Sequence, residues 1–269
     1  MDLLNVENLT VKLGDKKVIN NFSFSIQEND ILAVLVPNSG GKTTLIRTLS
    51  GIIVSDDGKV FVNSVPLNRK WFKKYILNIG TVFDNINSQF LCDVVKDELK
   101  YPMIHLCYNP NKIRKQVEII SEIVGIDAIL NKRVIELSNL EKVKVLIATS
   151  IVHSPKLLLL DDVFKFLNKN DSKEILRTLK NINKSLNIAI LFTTSDINDV
   201  IDIDNIIVLS NGRKMLEGDF ESIIKEDNEL SKIGLVIPIM IDLSRKLQFY
   251  NLIDEIYYDV DKVVDNLWK

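Results

Sequence analysis

The chain of 269 residues has little cysteine, little glycine and no surplus of either charge. Its two cysteines, Cys92 and Cys107, suggest no disulfide framework and fit a reducing compartment. Ten glycines exclude collagen-like and glycine-rich low-complexity chains. The 34 Lys+Arg meet 36 Asp+Glu, for a formal net charge of -2. A protein held mainly by nucleic-acid phosphates would need a basic surplus, so no nucleic-acid partner is expected. No uninterrupted apolar run approaches the ~20 residues that span a bilayer. The longest candidate, Ile233 to Leu243, contains Pro238 and Asp242. The opening MDLLNVENLT lacks the basic start and long apolar stretch of a signal peptide.

What remains is ordinary globular composition, 46% hydrophobic and 26% charged. That is enough for a sizeable core in one large domain or two small ones. Leu3 to Val11 and Val18 to Ile26 alternate apolar and polar residues around Gly14-Asp15 and read as strands. Ile31 to Val36 is continuously apolar, as in a strand buried in a parallel sheet. Lys42 to Ile53 has helical spacing, and Lys59 to Val62 and Ile76 to Phe83 read as strands. From about Asn85 to Ser150 the pattern is mostly helical. A second buried run, Leu157 to Leu160, ends in Asp161-Asp162. A helix (Asp171 to Leu186), a strand (Ile188 to Thr194), a short helix and a strand (Asn205 to Ser210) follow. Strands alternating with helices predict an α/β sheet with helical and antiparallel additions. In the tail, Phe249, Ile253, Ile256, Val260, Val263 and Leu267 fall three or four apart and predict one amphipathic helix, packed on its own core or on another subunit.

Chemistry concentrates at Val36-Pro37-Asn38-Ser39-Gly40-Gly41-Lys42-Thr43-Thr44, between a buried strand and a helix. The phosphate-binding loop pattern is Gly, four residues, Gly-Lys-Ser/Thr. Gly41, Lys42 and Thr43 fit, while Val36 stands where the first glycine would. Backbone N–H groups at such a helix start point at phosphate oxygens, and the helix dipole favours the anion. Lys42 would reach the β- and γ-phosphates of ATP, and the Thr43 hydroxyl would hold Mg²⁺. Asp161, at the end of a buried strand, is placed to assist the metal. If the first loop position needs φ > 0, Val36 adds strain there.

The order of these segments resembles the ATP-binding subunit of an ABC transporter. That family follows its phosphate loop with a Gln loop, a helical subdomain, a Leu-Ser-Gly-Gly-Gln signature, an Asp strand followed by Glu, a D-loop and a His switch. Each place is found here, and most are altered. Asp84 replaces the glutamine in Thr81-Val82-Phe83-Asp84-Asn85. Leu137-Ser138-Asn139-Leu140-Glu141 keeps only Leu and Ser of the signature, with Ser138 as its nucleotide-binding member. Asp162 takes the place of the catalytic Glu, Leu167-Asn168 that of Leu-Asp, and Ser195 that of the switch histidine. Leu13 stands near the place of an adenine-stacking aromatic. His105 and His153 lie elsewhere and are expected in core or surface roles. Asn85-Ile86-Asn87-Ser88-Gln89-Phe90 and the segment Gly234 to Leu247 resemble energy-coupling factor (ECF) ATPases.

The resemblance implies a P-loop NTPase core of ABC type, with an N-terminal antiparallel β subdomain, a helical subdomain at about 85–150 and a C-terminal helical extension. Residues 1–232 would be the nucleotide-binding domain and 233–269 the extension. It implies ATP and Mg²⁺ as ligands, and a site shared between two ATPase subunits. A transmembrane transporter subunit and a peripheral place on the cytoplasmic face of the membrane follow from the same likeness. Asp162, Ser195 and Asp84 are weak replacements for catalytic groups. A well-placed general base contributes ~10²–10⁴ in rate, so hydrolysis should suffer more than binding. Asn139 and Leu140 would crowd the partner's γ-phosphate. Two readings compete: a weakly catalytic transporter ATPase beside a more competent partner, and a pseudo-ATPase with a structural or regulatory role.

Overall fold

The computed structural model describes residues 2–257 and 260–267. Strands β1 (Asp2–Leu13) and β2 (Lys16–Gln27) form a hairpin, and β3 (Ile31–Leu35) leads through residues 36–41 into α1 (Lys42–Leu49). Next come β4 (Asp57–Val62), β5 (Val65–Pro66), α2 (Phe72–Ile76) and β6 (Ile79–Val82). The helical region holds α3 (Val95–His105), α4 (Pro110–Val124) and α5 (Asn139–Ile151). Then follow β7 (Leu157–Asp161), α6 (Lys169–Leu186), β8 (Ala189–Thr194), β9 (Asn205–Ser210) and β10 (Arg213–Gly218). The chain continues into α7 (Phe220–Lys225), α8 (Asp227–Lys232), α9 (Ile239–Phe249) and α10 (Val260–Leu267).

Two sheets result. The first is antiparallel, ordered β2-β1-β4-β5; the second is ordered β10-β9-β3-β8-β7-β6. All neighbours in the second sheet are parallel except β10 with β9. Its central strands are apolar on both faces, for a geometric reason. Leu32, Val34, Leu157 and Leu159 pack toward the antiparallel sheet and α1. Ala33, Leu35, Leu158 and Leu160 face the helical side. In a parallel sheet the crevice beyond the carboxyl ends of the strands collects ligands. Here β3, β8 and β7 are adjacent, so Val36, Ser195 and Asp162 all emerge at one edge.

Scarce glycine is met with asparagine. Asn8, Asn21, Asn29, Asn63, Asn187, Asn211 and Asn251 all hold left-handed backbone, and Asn187 ends α6 in this way. Asparagine tolerates this region better than other non-glycine residues.

Three sequence expectations need correction. The helix expected to Ile53 stops at Leu49, because Gly51 turns left-handed at φ +78° and Ile52 and Ile53 N–H both return to the Arg47 carbonyl. The strand expected from Ile76 begins only at Ile79, since α2 occupies Phe72–Ile76. The single tail helix is broken. α9 ends at Phe249, left-handed Asn251 (φ +55°) turns the chain, and α10 starts at Val260. Ile253 and Val263 are buried as expected, but Phe249 is exposed.

Tyr75 is the peg that holds α2. It is fully buried, and its hydroxyl donates to the Leu49 carbonyl at 2.6 Å, where α1 ends. Tyr75→Phe should therefore lower stability by about 1–2 kcal/mol by orphaning that carbonyl, measured as a shift in urea midpoint.

Candidate functional site

The loop from Val36 to Gly41 is shaped by its two ends. The Val36 N–H donates to the Thr194 carbonyl at 2.9 Å, which ties the loop to β8. Gly40 N–H donates to the Pro37 carbonyl at 2.9 Å, and Gly41 caps α1 with φ +107°. No acidic residue lies in the first turn of α1, so its positive end is not compensated by its own side chains. The strain expected at Val36 does not arise there. Val36 is outside the left-handed region and fully buried, while Ser39 takes φ +60° instead. Gly40 needs no left-handed freedom, but it needs the space. A Cβ on Gly40 would lie 2.7 Å from Val36 Cγ1 and 2.8 Å from the Pro37 oxygen.

Lys42 Nζ lies 3.1 Å from Asp162 Oδ2 and 3.4 Å from Asn38 Oδ1. This ion pair is nearly buried, with 8% and 14% side-chain exposure. A desolvated pair of this kind gains little net stability, so Lys42 can exchange Asp162 for another anion at small cost. Asp162 itself is left-handed (φ +50°), and its N–H donates to Thr193 Oγ1 at 3.1 Å.

Asp161 is fully buried beside it. The Thr193 hydroxyl donates to Asp161 Oδ1 at 3.3 Å, but Oδ2 has no hydrogen-bond partner. Burial lifts its carboxyl to about 6, the Thr43 and Thr193 side chains pull it down, and Asp84 and Asp162 push it up. A buried carboxylate oxygen without a hydrogen-bond partner, with the Thr43 hydroxyl and the Asp84 carboxylate both near enough to shift the Asp161 carboxyl, is an oxygen donor set for a hard divalent cation. These residues fit Mg²⁺.

The chain end of β8 closes the site. The Thr194 hydroxyl donates to Asp199 Oδ2 at 2.6 Å and accepts from the Asp196 N–H at 3.1 Å. Ser195 is half-buried and lines, with Asn38, Asp162, Leu167, Asp199 and Tyr257, a cavity of about 810 Å³. The C-terminal segment thus reaches the same cavity as the phosphate loop. Asp199 was not anticipated from sequence. Burial raises its carboxyl to about 7, helped by Asp196 and Asp162, while Thr194 and Lys42 lower it.

A family profile described as ABC transporter matches residues 19–165, more than half of the chain. The chain belongs to the ABC transporter family. It is 28% identical over 234 residues to the energy-coupling factor transporter ATP-binding protein EcfA1 of Clostridioides difficile, covering 86% of this chain and 84% of that protein. It is 27% identical over 270 residues to EcfA1 of Bacillus subtilis, covering 99% and 96%. Among solved structures it is similar to cbiO1 from Clostridium perfringens, described as part of the ABC transporter complex cbiONQ. The TM-score there is 0.79 at 27% identity, covering 93% of this chain and 99% of that one. A nucleotide-free ATP-binding cassette from an ABC transporter shares the fold, with a TM-score of 0.75 at 21% identity, covering 87% and 98%.

The altered ABC motifs take up definite local roles. At the signature place, Ser138 caps α5 in a reciprocal box: its Oγ accepts from Glu141 N–H at 3.2 Å, and its N–H donates to Glu141 Oε2 at 2.8 Å. Lys132 holds Glu141 at 2.9 Å and, with Ser138, keeps that carboxyl below its ordinary value. Leu140 packs partly against the core, while Asn139 is exposed. The Asn139 amide donates to the Phe166 carbonyl at 3.2 Å, which joins the signature to the loop before Leu167-Asn168. At the Gln-loop place, Gln89 clamps the turn: its oxygen accepts from Phe83 N–H at 2.8 Å, and its amide donates to the Phe83 and Asn85 carbonyls. His153 is half-buried against the Ile79 carbonyl, and burial lowers its pKa, as a structural histidine requires.

Proposed function

We propose that this chain is an ATP-binding subunit of an ECF-type membrane transporter, with ATP-Mg²⁺ bound at Val36 to Thr44. The observation that carries the reading is the juxtaposition of Lys42 and the open amino end of α1 with the unpartnered Oδ2 of Asp161. Backbone N–H groups of residues 39 and 41–44 would bind phosphate oxygens, and Lys42 would leave Asp162 to join them. Thr43 and Asp161 would hold Mg²⁺, with Asp84 facing them. When bound, Mg²⁺ supplies charge neutralisation at the phosphate oxygens. Asp162 and Ser195 would stand in for the groups that activate a water, but Asp162 is one methylene shorter than Glu and is engaged with Lys42. Hydrolysis by the isolated chain is therefore weak. A second, more active ATPase subunit would complete each site, because a homodimer would join weak catalytic groups to its own altered signature. A transmembrane subunit would receive the pair, placing this chain peripherally on the cytoplasmic face. Among the described residues no helix is long and apolar enough to cross a membrane.

The pseudo-ATPase reading draws on one observation, the Lys42–Asp162 pair, which satisfies the lysine without a nucleotide. Calorimetry with ATP and Mg²⁺ separates the two. Binding that Lys42→Ala weakens ~10–100-fold, the loss of charge-assisted hydrogen bonds, supports the transporter subunit. No heat at millimolar ATP supports the pseudo-ATPase. A pull-down from native membranes that recovers only a homodimer would remove the transporter reading.

A further inference from the structure

Residues 58–83 contain five cations, Lys59, Arg69, Lys70, Lys73 and Lys74, and no acidic residue, in a protein whose net charge is -2. Four of the five are concentrated in six consecutive residues, Arg69-Lys70-Trp71-Phe72-Lys73-Lys74, and all six are exposed. None of these four cations pairs with a carboxylate among the described residues. Instead Lys70 and Lys74 flank Trp71, their Nζ atoms 5.5 and 5.6 Å from the ring centre. Trp71 remains 41% exposed.

Apolar groups share this face. Phe72, Ile76 and Leu77 are exposed on and after α2. A Cβ on Gly51 would lie 2.6 Å from the Phe72 ring, so the exit of α1 touches α2, and the exposed Ile52 and Val54 follow Gly51 in the chain. Buried Tyr75 pins the opposite side of α2 to Leu49. The patch is therefore held rigidly with its basic and apolar groups outward. In sequence it lies just before the helical subdomain at about 85–150 and outside it.

We infer that the face formed by Arg69 to Leu77 with Ile52 and Val54 is a docking surface for anionic phospholipid headgroups. Charge complementarity selects the occupant. Cations attract the negative leaflet, tryptophan suits the headgroup boundary, and aliphatic groups bury into it. A nucleic acid would satisfy the cations but would leave Ile52, Val54, Ile76 and Leu77 in water. The inference extends the peripheral placement proposed above and does not depend on the nucleotide site.

The test uses the full chain carrying Trp268→Phe, which leaves Trp71 as the sole tryptophan. Its emission is followed on titration with phosphatidylcholine vesicles and with vesicles containing phosphatidylglycerol. A blue shift is expected with the anionic vesicles only, and it should vanish near 1 M salt, where screening acts within ~3 Å. The triple variant Lys70→Gln/Lys73→Gln/Lys74→Gln should bind the anionic vesicles about a hundredfold more weakly, at roughly fivefold per cation. Its affinity for ATP, titrated in parallel, should equal the parent's, so that failure here is distinct from failure of the nucleotide reading. Equal binding to neutral vesicles, no shift of Trp71, or full binding by the triple variant each overturns the inference. So does tighter binding to a DNA duplex than to anionic vesicles at the same salt.

Discussion

Asp199→Asn is expected to stabilise the protein at pH 8 and to change it little at pH 4. Burial, with Asp196 and Asp162, raises the Asp199 carboxyl from 3.8 to about 7. The folded state thus holds this proton more tightly than the unfolded chain does. The resulting stability is complete below about pH 4, and is lost as pH rises through the folded value near 7. Asparagine removes the ionisation and with it the loss. Its amide oxygen can still accept from the Thr194 hydroxyl, which now donates to Asp199 at 2.6 Å. The gain should grow between pH 4 and pH 7 and level off above, at on the order of 2–4 kcal/mol. Urea denaturation across that pH range measures it. A variant less stable than the parent at pH 8 would show that the Asp199 charge is held by Lys42 more strongly than burial opposes it.

Asp199 also shows where sequence reading stops. Its Thr194 partner lies five residues away across a turn, and nothing in the spacing announces that the carboxyl points inward. By contrast β3, β7 and β8 were legible, because strands covered on both faces leave continuous apolar runs. The strand–loop–helix setting of Gly41-Lys42-Thr43 was legible, since the apolar run before it and the helical spacing after it both show in the sequence. α2 was hidden because five residues are too few to show a helical period, and its anchor is the tertiary contact of Tyr75 with Leu49. The tail pattern was misleading for a related reason. Apolar residues three or four apart persist across the turn at Asn251, whose left-handed backbone breaks the helix without disturbing the spacing. The strain at Val36 was misplaced because a motif position does not reveal φ. Left-handed backbone falls at Ser39 and Gly41, and the glycine at position 40 serves space instead of backbone freedom.

That exchange makes Val36 and Gly40 a coupled pair, and substitution of Gly40 should have the larger consequence for nucleotide binding. Gly40→Ser is expected to weaken ATP binding more than a hundredfold. Its new Cβ would meet Val36 Cγ1 at 2.7 Å and the Pro37 oxygen at 2.8 Å, both closer than real contacts allow. The Pro37 contact is with backbone, so the loop itself must move, and its N–H groups lose their common aim. Val36 resists that movement because it is fully buried and its N–H is bound to the Thr194 carbonyl. Val36→Gly alone should leave affinity within a few fold, since it empties one side chain and keeps the loop's hydrogen bonds. Added to Gly40→Ser, Val36→Gly should recover about tenfold, because it removes one collision and loosens the strand end that fixes the loop. A coupling of about 1–2 kcal/mol between touching residues is the expected size. Calorimetric titration of the parent, both single variants and the double variant closes the cycle. Strictly additive losses would mean that Val36 and Gly40 act independently, and that the missing first glycine has no local compensation.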